Sequence, residues 1–225
     1  MRAMILAAGR GERMRPLTDH APKPLLPVSG KPLIVWHLEK LATAGISDVV
    51  INLGHLGEQI PVALGDGQRW GLNLHYSQEP PGALETAGGI RHALPLLGDE
   101  PFLVINGDVF CDWPVERAAI IAAQFGPETL AHLVMIDNPE HHPSGDFALV
   151  GNQLKTQGEP RYTFAGIGIY RPELFSGLPD PKPAKLAPLL RTAMAADQIS
   201  GEHYAGRWVD VGTPERLAEL NQSLR

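Results

Sequence analysis

The chain of 225 residues has a single cysteine, Cys111. A lone thiol excludes an intramolecular disulfide, and no Cys-x-x-Cys pair exists to form a redox centre or a thiolate zinc site. Long apolar runs are also missing. None reaches the roughly 18 residues that a membrane-spanning helix needs, and the N-terminal stretch MRAMILAAGRGERMRP becomes glycine-rich and charged after a few apolar positions. It reads as a buried first strand, not a signal peptide. Positive charge is in deficit, with 19 lysines and arginines against 25 acidic residues and a net charge of −6. That balance argues against nucleic acid as a partner. Together these absences point to a protein of a reducing, cytoplasmic compartment that works away from both membranes and nucleic acids.

What is present is ample core material, 44% hydrophobic residues. The 24 glycines and 21 prolines punctuate hydrophobic segments and do not pool in a linker, so residues 1–225 read as one domain. Ala3 to Leu6 predicts a strand, followed by a polar loop to Pro32. Leu33, Trp36, Leu38 and Leu41 then recur at helical spacing up to Gly45, with Trp36 and Leu41 as core candidates. Strands are predicted at 48–53, 72–76 and 102–105, with helices at 58–64 and 86–97 between them. Such alternation implies an α/β fold with a mostly parallel sheet flanked by helices. The second half reads as mixed, with helices at 116–124, 186–196 and 214–224. Its strands are expected at 129–136, 147–155, 162–170 and 207–211, and the middle two suggest a small antiparallel excursion.

The densest chemistry lies in LAAGRGERMRPLT at 6–18 and PKPLLPV at 22–28. Gly9 and Gly11 let the backbone after the first strand approach a ligand and turn its amides toward anionic oxygens. Arg10, Arg13, Arg15 and Lys23 concentrate positive charge in an acidic chain, which suits a bound phosphate. Neither the dinucleotide fingerprint nor the Walker pattern is spelled, since Met14 stands where the former needs glycine and no Gly-Lys-Ser/Thr ending follows. Asp108 comes just after a strand, where open α/β sheets bind ligands, and Asp210 ends another. Two such carboxylates beside a phosphate loop suit magnesium, which takes few protein ligands and completes its shell with phosphate oxygens. In YSQEPPGALETAGGI at 76–90, Gln78 supplies an amide that can read a base edge.

These motifs, with LETAGG at 84–89, INGD at 105–108, FAGIGIY at 164–170 and WVDVGTPE at 208–215, resemble the sugar-1-phosphate nucleotidylyltransferase family in the same order along nearly the whole chain. The resemblance implies a Rossmann-like nucleotidyltransferase fold. It also implies a reaction in which a sugar 1-phosphate attacks the α-phosphorus of a nucleoside triphosphate and pyrophosphate leaves. UTP and an N-acetylmuramate-type sugar 1-phosphate, used in cell-wall recycling, are the substrates the details favour; GTP with mannose 1-phosphate is the alternative. A non-catalytic sugar-nucleotide sensor is the alternative of another kind.

Carried over residue by residue, Gly9, Arg10, Gly11, Glu12 and Arg13 match the triphosphate loop. Arg13 and Lys23 match catalytic positions, supporting the leaving pyrophosphate and the α-phosphate. Gln78 and Ala83 match base-reading positions, and Asp108 and Asp210 the magnesium-binding pair. Asn106, Asp108, Glu140, Asn152 and Gly166 are the expected sugar-substrate residues. Residues up to about 110 would then bind the nucleotide and those from about 111 the sugar phosphate. The chain departs from the family at Glu12 and Glu85, where threonine and glycine are common. It also lacks the Glu-Lys-Pro triplet whose lysine holds the sugar phosphate in many relatives; Lys155 and Arg161 are the basic residues of that region, and neither is assigned. His141 and His142, between Pro139 and Pro143, read as an exposed loop without further zinc ligands, and Cys111 lacks a histidine partner for nucleophilic work. A monomer or small homo-oligomer is expected.

Overall fold

A computed structural model describes residues 1–224. The first strand, β1 (Ala3–Leu6), leads into a loop that is polar but not shapeless, since short 3₁₀ turns form at Glu12–Met14, Leu17–Asp19 and Lys23–Leu25. A small hairpin, β2 (Pro27–Val28) and β3 (Lys31–Pro32), feeds α1 (Leu33–Thr43). Then come β4 (Asp48–Leu53), α2 (Gln59–Leu64), β5 (Asn73–Gln78), α3 (Glu85–Leu97) and β6 (Phe102–Asn106). Pro32 opens α1 and Ala44 with Gly45 closes it, the terminator that the glycine suggests.

Strands β5, β4, β1 and β6 lie side by side and parallel, so Leu6, Leu53, Gln78 and Asn106 end along one edge. Each inner strand is buried on both faces, which is why its sequence is a continuous apolar run. Alternation assigns the faces. Ala3, Ile5, Val49, Ile51, Leu103 and Ile105 pack against Ile34, Leu38 and Leu41 of α1. Met4, Val50, Phe102 and Val104 turn the other way, onto Ala87, Ile90, Ala93 and Leu97 of α3. Leu41 is fully buried as expected, whereas Trp36 is half-buried at the margin, its indole N–H donating to Val28 O at 3.1 Å.

The chain continues through β7 (Val109–Cys111), α4 (Arg117–Ala123), β8 (Ala131–Ile136), the hairpin β9 (Phe147–Val150) and β10 (Gln153–Lys155), and β11 (Arg161–Tyr170). It ends with α5 (Glu173–Ser176), α6 (Leu186–Ala195), β12 (Ile199–His203), β13 (Trp208–Asp210) and α7 (Pro214–Ser223), the last capped by Thr213 Oγ1 with proline in its first turn. The nine-stranded order is β5-β4-β1-β6-β11-β8-β12-β10-β9. Beyond β6 the sheet is antiparallel except where β12 meets β8, so the antiparallel share exceeds the small excursion expected. The reason is β11, a ten-residue strand that inserts between β6 and β8 against both. A separate two-stranded sheet joins β13 to β7, placing Asp210 opposite Val109.

Candidate active site

The shared strand edge opens into a cavity of about 590 Å³. Its floor is Leu6 and Ala7 at the end of β1 and Asn106 with Gly107 at the end of β6. One wall is the loop through Gly9, Gly11, Glu12 and Arg13; Ala83, Glu85 and Thr86 form another. Lys23, Asp108 and Gly212 close the far side.

Of the residues expected from sequence, Gly9, Gly11, Glu12, Arg13, Lys23, Ala83, Asn106 and Asp108 line this one cavity. Lys23 rises from a 3₁₀ turn, largely buried, and its Nζ donates to Asp108 Oδ2 at 2.7 Å. Asp108 and Asp210 adjoin, because the amide of Val211 donates to Asp108 O at 2.9 Å. The Asp210 carboxylate is clasped by Arg216 Nη1, with His141 Nε2 3.7 Å away.

Other expected residues stand outside the cavity lining. Arg10 is exposed and pairs with Glu12 at 3.7 Å. Gln78 ends β5 with its side-chain amide donating to Glu79 O at 3.1 Å and Leu53 O at 3.4 Å, so it is committed to backbone. Gly166 acts at one remove: it sits at φ +74° in a bulge of β11, and a Cβ there would meet the Asn106 amide at 2.7 Å. It makes room for Asn106. Glu140 and Asn152 are exposed, the latter in the β9–β10 turn with its carbonyl accepting from Gly201 N at 2.9 Å.

Sequence reading missed a buried clasp in the cavity lining. Asn52, in the apolar strand β4, accepts from the amide of Ala7 at 2.7 Å and donates to Glu79 Oε1 at 2.7 Å. Glu79 Oε2 in turn faces the amide of Leu84 at 3.4 Å, and Gly89 of α3 leaves room for the carboxylate, since a Cβ would stand 2.6 Å from Oε1. The signal was a polar residue near a strand's carboxyl end, the rule that picked out Asp108. Cys111 is buried and its thiol pushed up to about 11 by burial, so it stays neutral and offers no nucleophile. Among the described residues no cluster of three or more His, Cys, Asp and Glu is arranged to hold a metal.

The Nucleotidyl transferase family profile matches residues 2–225. The chain belongs to that family. It is 54% identical to the N-acetylmuramate alpha-1-phosphate uridylyltransferase of Neisseria meningitidis serogroup B, over 97% of this chain and 96% of that one. The protein of that name from Caulobacter vibrioides is 35% identical, over 96% and 97%. A mannose-1-phosphate guanyltransferase of Hypocrea jecorina is 31% identical over 96% of this chain but 62% of its own. The fold is shared with a Bacillus anthracis protein described as a glucose-1-phosphate thymidylyltransferase, at a TM-score of 0.86 and 24% identity, covering 100% of this chain and 95% of that chain. For a nucleotidyl transferase the position of the cavity is the expected one, at the carboxyl edge of the parallel strands. No helix among the described residues is long and apolar enough to cross a membrane.

Proposed function

We propose that this nucleotidyl transferase condenses UTP with N-acetylmuramate α-1-phosphate, forming UDP-N-acetylmuramate and pyrophosphate, as a cytoplasmic step of peptidoglycan recycling. The observation that carries the reading is near-full-length identity of 54% to a relative of that activity, in a chain whose cavity gathers Arg13, Lys23 and Asp108. In the reaction a phosphate oxygen of the sugar 1-phosphate attacks the α-phosphorus, the bond to the β-phosphate breaks, and pyrophosphate leaves with the electron pair. The substrate is its own nucleophile, so the protein's work is positioning and charge stabilisation.

The loop amides at Gly9 and Gly11 and the Arg13 guanidinium would receive the β- and γ-phosphates, and Lys23 the α-phosphate. Lys23 is preorganised by its bond to Asp108, so little rearrangement is needed when charge develops. Ala83 would meet the base through its backbone, and Asn106 would face the sugar substrate, with Gly166 behind it. Asp108, in the turn between β6 and β7, and Asp210, at the end of β13, fit magnesium, being two hard carboxylates on adjoining segments beside the proposed phosphate site. When bound, that ion neutralises phosphate charge and polarises the phosphoryl oxygens.

The test is pyrophosphate release across the four nucleoside triphosphates crossed with N-acetylmuramate, N-acetylglucosamine, glucose and mannose 1-phosphates. Release confined to UTP with the muramic sugar is expected. GTP with mannose 1-phosphate would replace the substrates and keep the mechanism; a folded protein that binds sugar nucleotides yet releases nothing would make it a sensor.

A further inference from the structure

The proposed reaction brings two phosphorylated substrates to one pair of carboxylates, yet the cations that line the cavity, Arg13 and Lys23, are those that the reading above gives to the triphosphate. The second phosphate needs a partner from the other half of the chain. The basic residues of the 153–164 region are committed elsewhere. Lys155 Nζ pairs with Asp197, and Arg161 spends its guanidinium on the carbonyls of Ser144, Thr156 and Asp146, at 3.1, 3.1 and 2.8 Å. Arg117 is bound to Glu202.

Arg216 is different. It stands in the first turns of α7, six residues after Asp210, and only Nη1 is engaged: with Asp210 Oδ2, at 3.5 Å from Asp210 O, and at 3.3 Å from His141 Nε2. Among the described residues Nε and Nη2 have no hydrogen-bond partner, and the side chain is 21% exposed. Its head stands behind Gly212, which is the part of this segment that faces the cavity. Gly212 lines the cavity, and a Cβ on Gly212 would stand 3.2 Å from Arg216 Nη1 and 2.8 Å from Asp210 Oδ1. A guanidinium anchored through one nitrogen and holding two adjacent N–H donors in reserve is the arrangement that binds phosphate by a planar fork.

We propose that Arg216 receives the phosphate of the sugar 1-phosphate through Nε and Nη2 while Nη1 keeps its hold on Asp210. The proposal rests on the nucleotidyl-transfer reading above and names the residue that serves its second substrate. Arg216 thereby ties that substrate to the carboxylate shared with the triphosphate, and the absence of a side chain at Gly212 leaves room for the Asp210–Arg216 pair.

The experiment compares the wild-type enzyme with Arg216→Gln and Arg216→Lys in steady-state pyrophosphate release and in calorimetric binding of N-acetylmuramate 1-phosphate without triphosphate. For Arg216→Gln, loss of a charged fork should raise the KM for the sugar 1-phosphate and weaken its binding about tenfold to a hundredfold. The KM for UTP should stay within about twofold, as expected of uniform binding removed from one substrate only. Arg216→Lys restores charge without the fork and should recover part of the loss; it also serves if the glutamine variant does not fold. N-acetylglucosamine 1-phosphate, where it is turned over, should lose as much as the muramic sugar. A loss confined to the muramic sugar would overturn the phosphate assignment in favour of its lactyl carboxylate. Unchanged sugar affinity, or an equal rise in the KM for UTP, would overturn it outright. Wild-type inactivity with every substrate pair would instead defeat the underlying reading, so the two failures are distinguishable.

Discussion

Lys23 and Asp108 form an ion pair that is dry on one side and wet on the other, the lysine side chain 9% exposed and the aspartate 38%. That asymmetry decides which substitution is informative. Asp108→Ala would strand a buried ammonium and confuse folding with catalysis, whereas Asp108→Asn keeps an acceptor for Nζ and removes only the charge. Asp108→Asn should lower turnover by about two to three decades, on the scale of losing one preorganised electrostatic group, with a smaller fall in melting temperature than Asp108→Ala; near-normal turnover would remove Asp108 from the catalytic machinery. Lys23→Ala should cost a similar factor, read in the same assay. Glu85 carries a different tension, since it holds φ +60° at the start of α3 without being glycine. Glu85→Gly should relieve about 1 kcal/mol of backbone strain and raise the Tm by about 2 to 4 °C. A lower Tm would mean that the carboxylate's attraction to the helix N-terminus outweighs the strain. At this scale the sequence was most legible in placement, since Arg13, Lys23 and Asp108 line one cavity. The side-chain amide of Gln78 donates to two backbone carbonyls, a placement that the residue type alone does not announce.

The clasp through Asn52 and Glu79 couples elements, joining the end of β1 and the loop before α3 through the floor of the cavity. Both side chains are buried, so Asn52→Ala leaves the Ala7 amide and a carboxylate oxygen without partners, at a cost of about 1 to 3 kcal/mol. Because the freed loops carry the nucleotide contacts proposed here, the KM for UTP should rise more than that for the sugar 1-phosphate. Denaturant melts and paired KM values check this, and a pure stability loss with both KM values unchanged would make the clasp structural only. Elements with a strong internal period were readable to within a residue or two: α1 ends at its glycine stop, and β4 begins and ends as its β-branched run does. β7, β12 and the β2–β3 hairpin were not. Each is short, and ISGEH in β12 has no alternation to betray it; such strands exist because neighbours supply the hydrogen bonds, which local pattern does not record.

For the whole molecule, His37 is a built-in acid sensitivity. It is buried in α1, and burial holds its pKa down at about 4 against an ordinary 6.5. Between those values the unfolded chain takes up a proton that the folded chain refuses, so stability falls as pH drops from about 6.5 to 4. The full loss from this group is about 3 kcal/mol. Melting temperatures measured from pH 7 to 4.5 should decline, and the decline should flatten in His37→Leu; an equal slope in both would assign the acid sensitivity to other groups. The molecule's topology was legible only as far as strand-helix alternation reached, through β6. Insertion of β11 between β6 and β8 depends on pairing between segments about 30 and 60 residues apart in the chain, which carries no local signature. The pairing of β13 with β7 is longer still, setting Asp210 opposite Val109. On a ribosome, the loop through Gly9 and Gly11, Lys23 and Asp108 emerge early, but Asp210 and Arg216 arrive only after about a hundred more residues have been made. If Asp210 and Arg216 serve as proposed, nascent chains stay silent toward their substrates until β13 is threaded against β7, and a chain nicked between them regains turnover only when its two pieces reassemble.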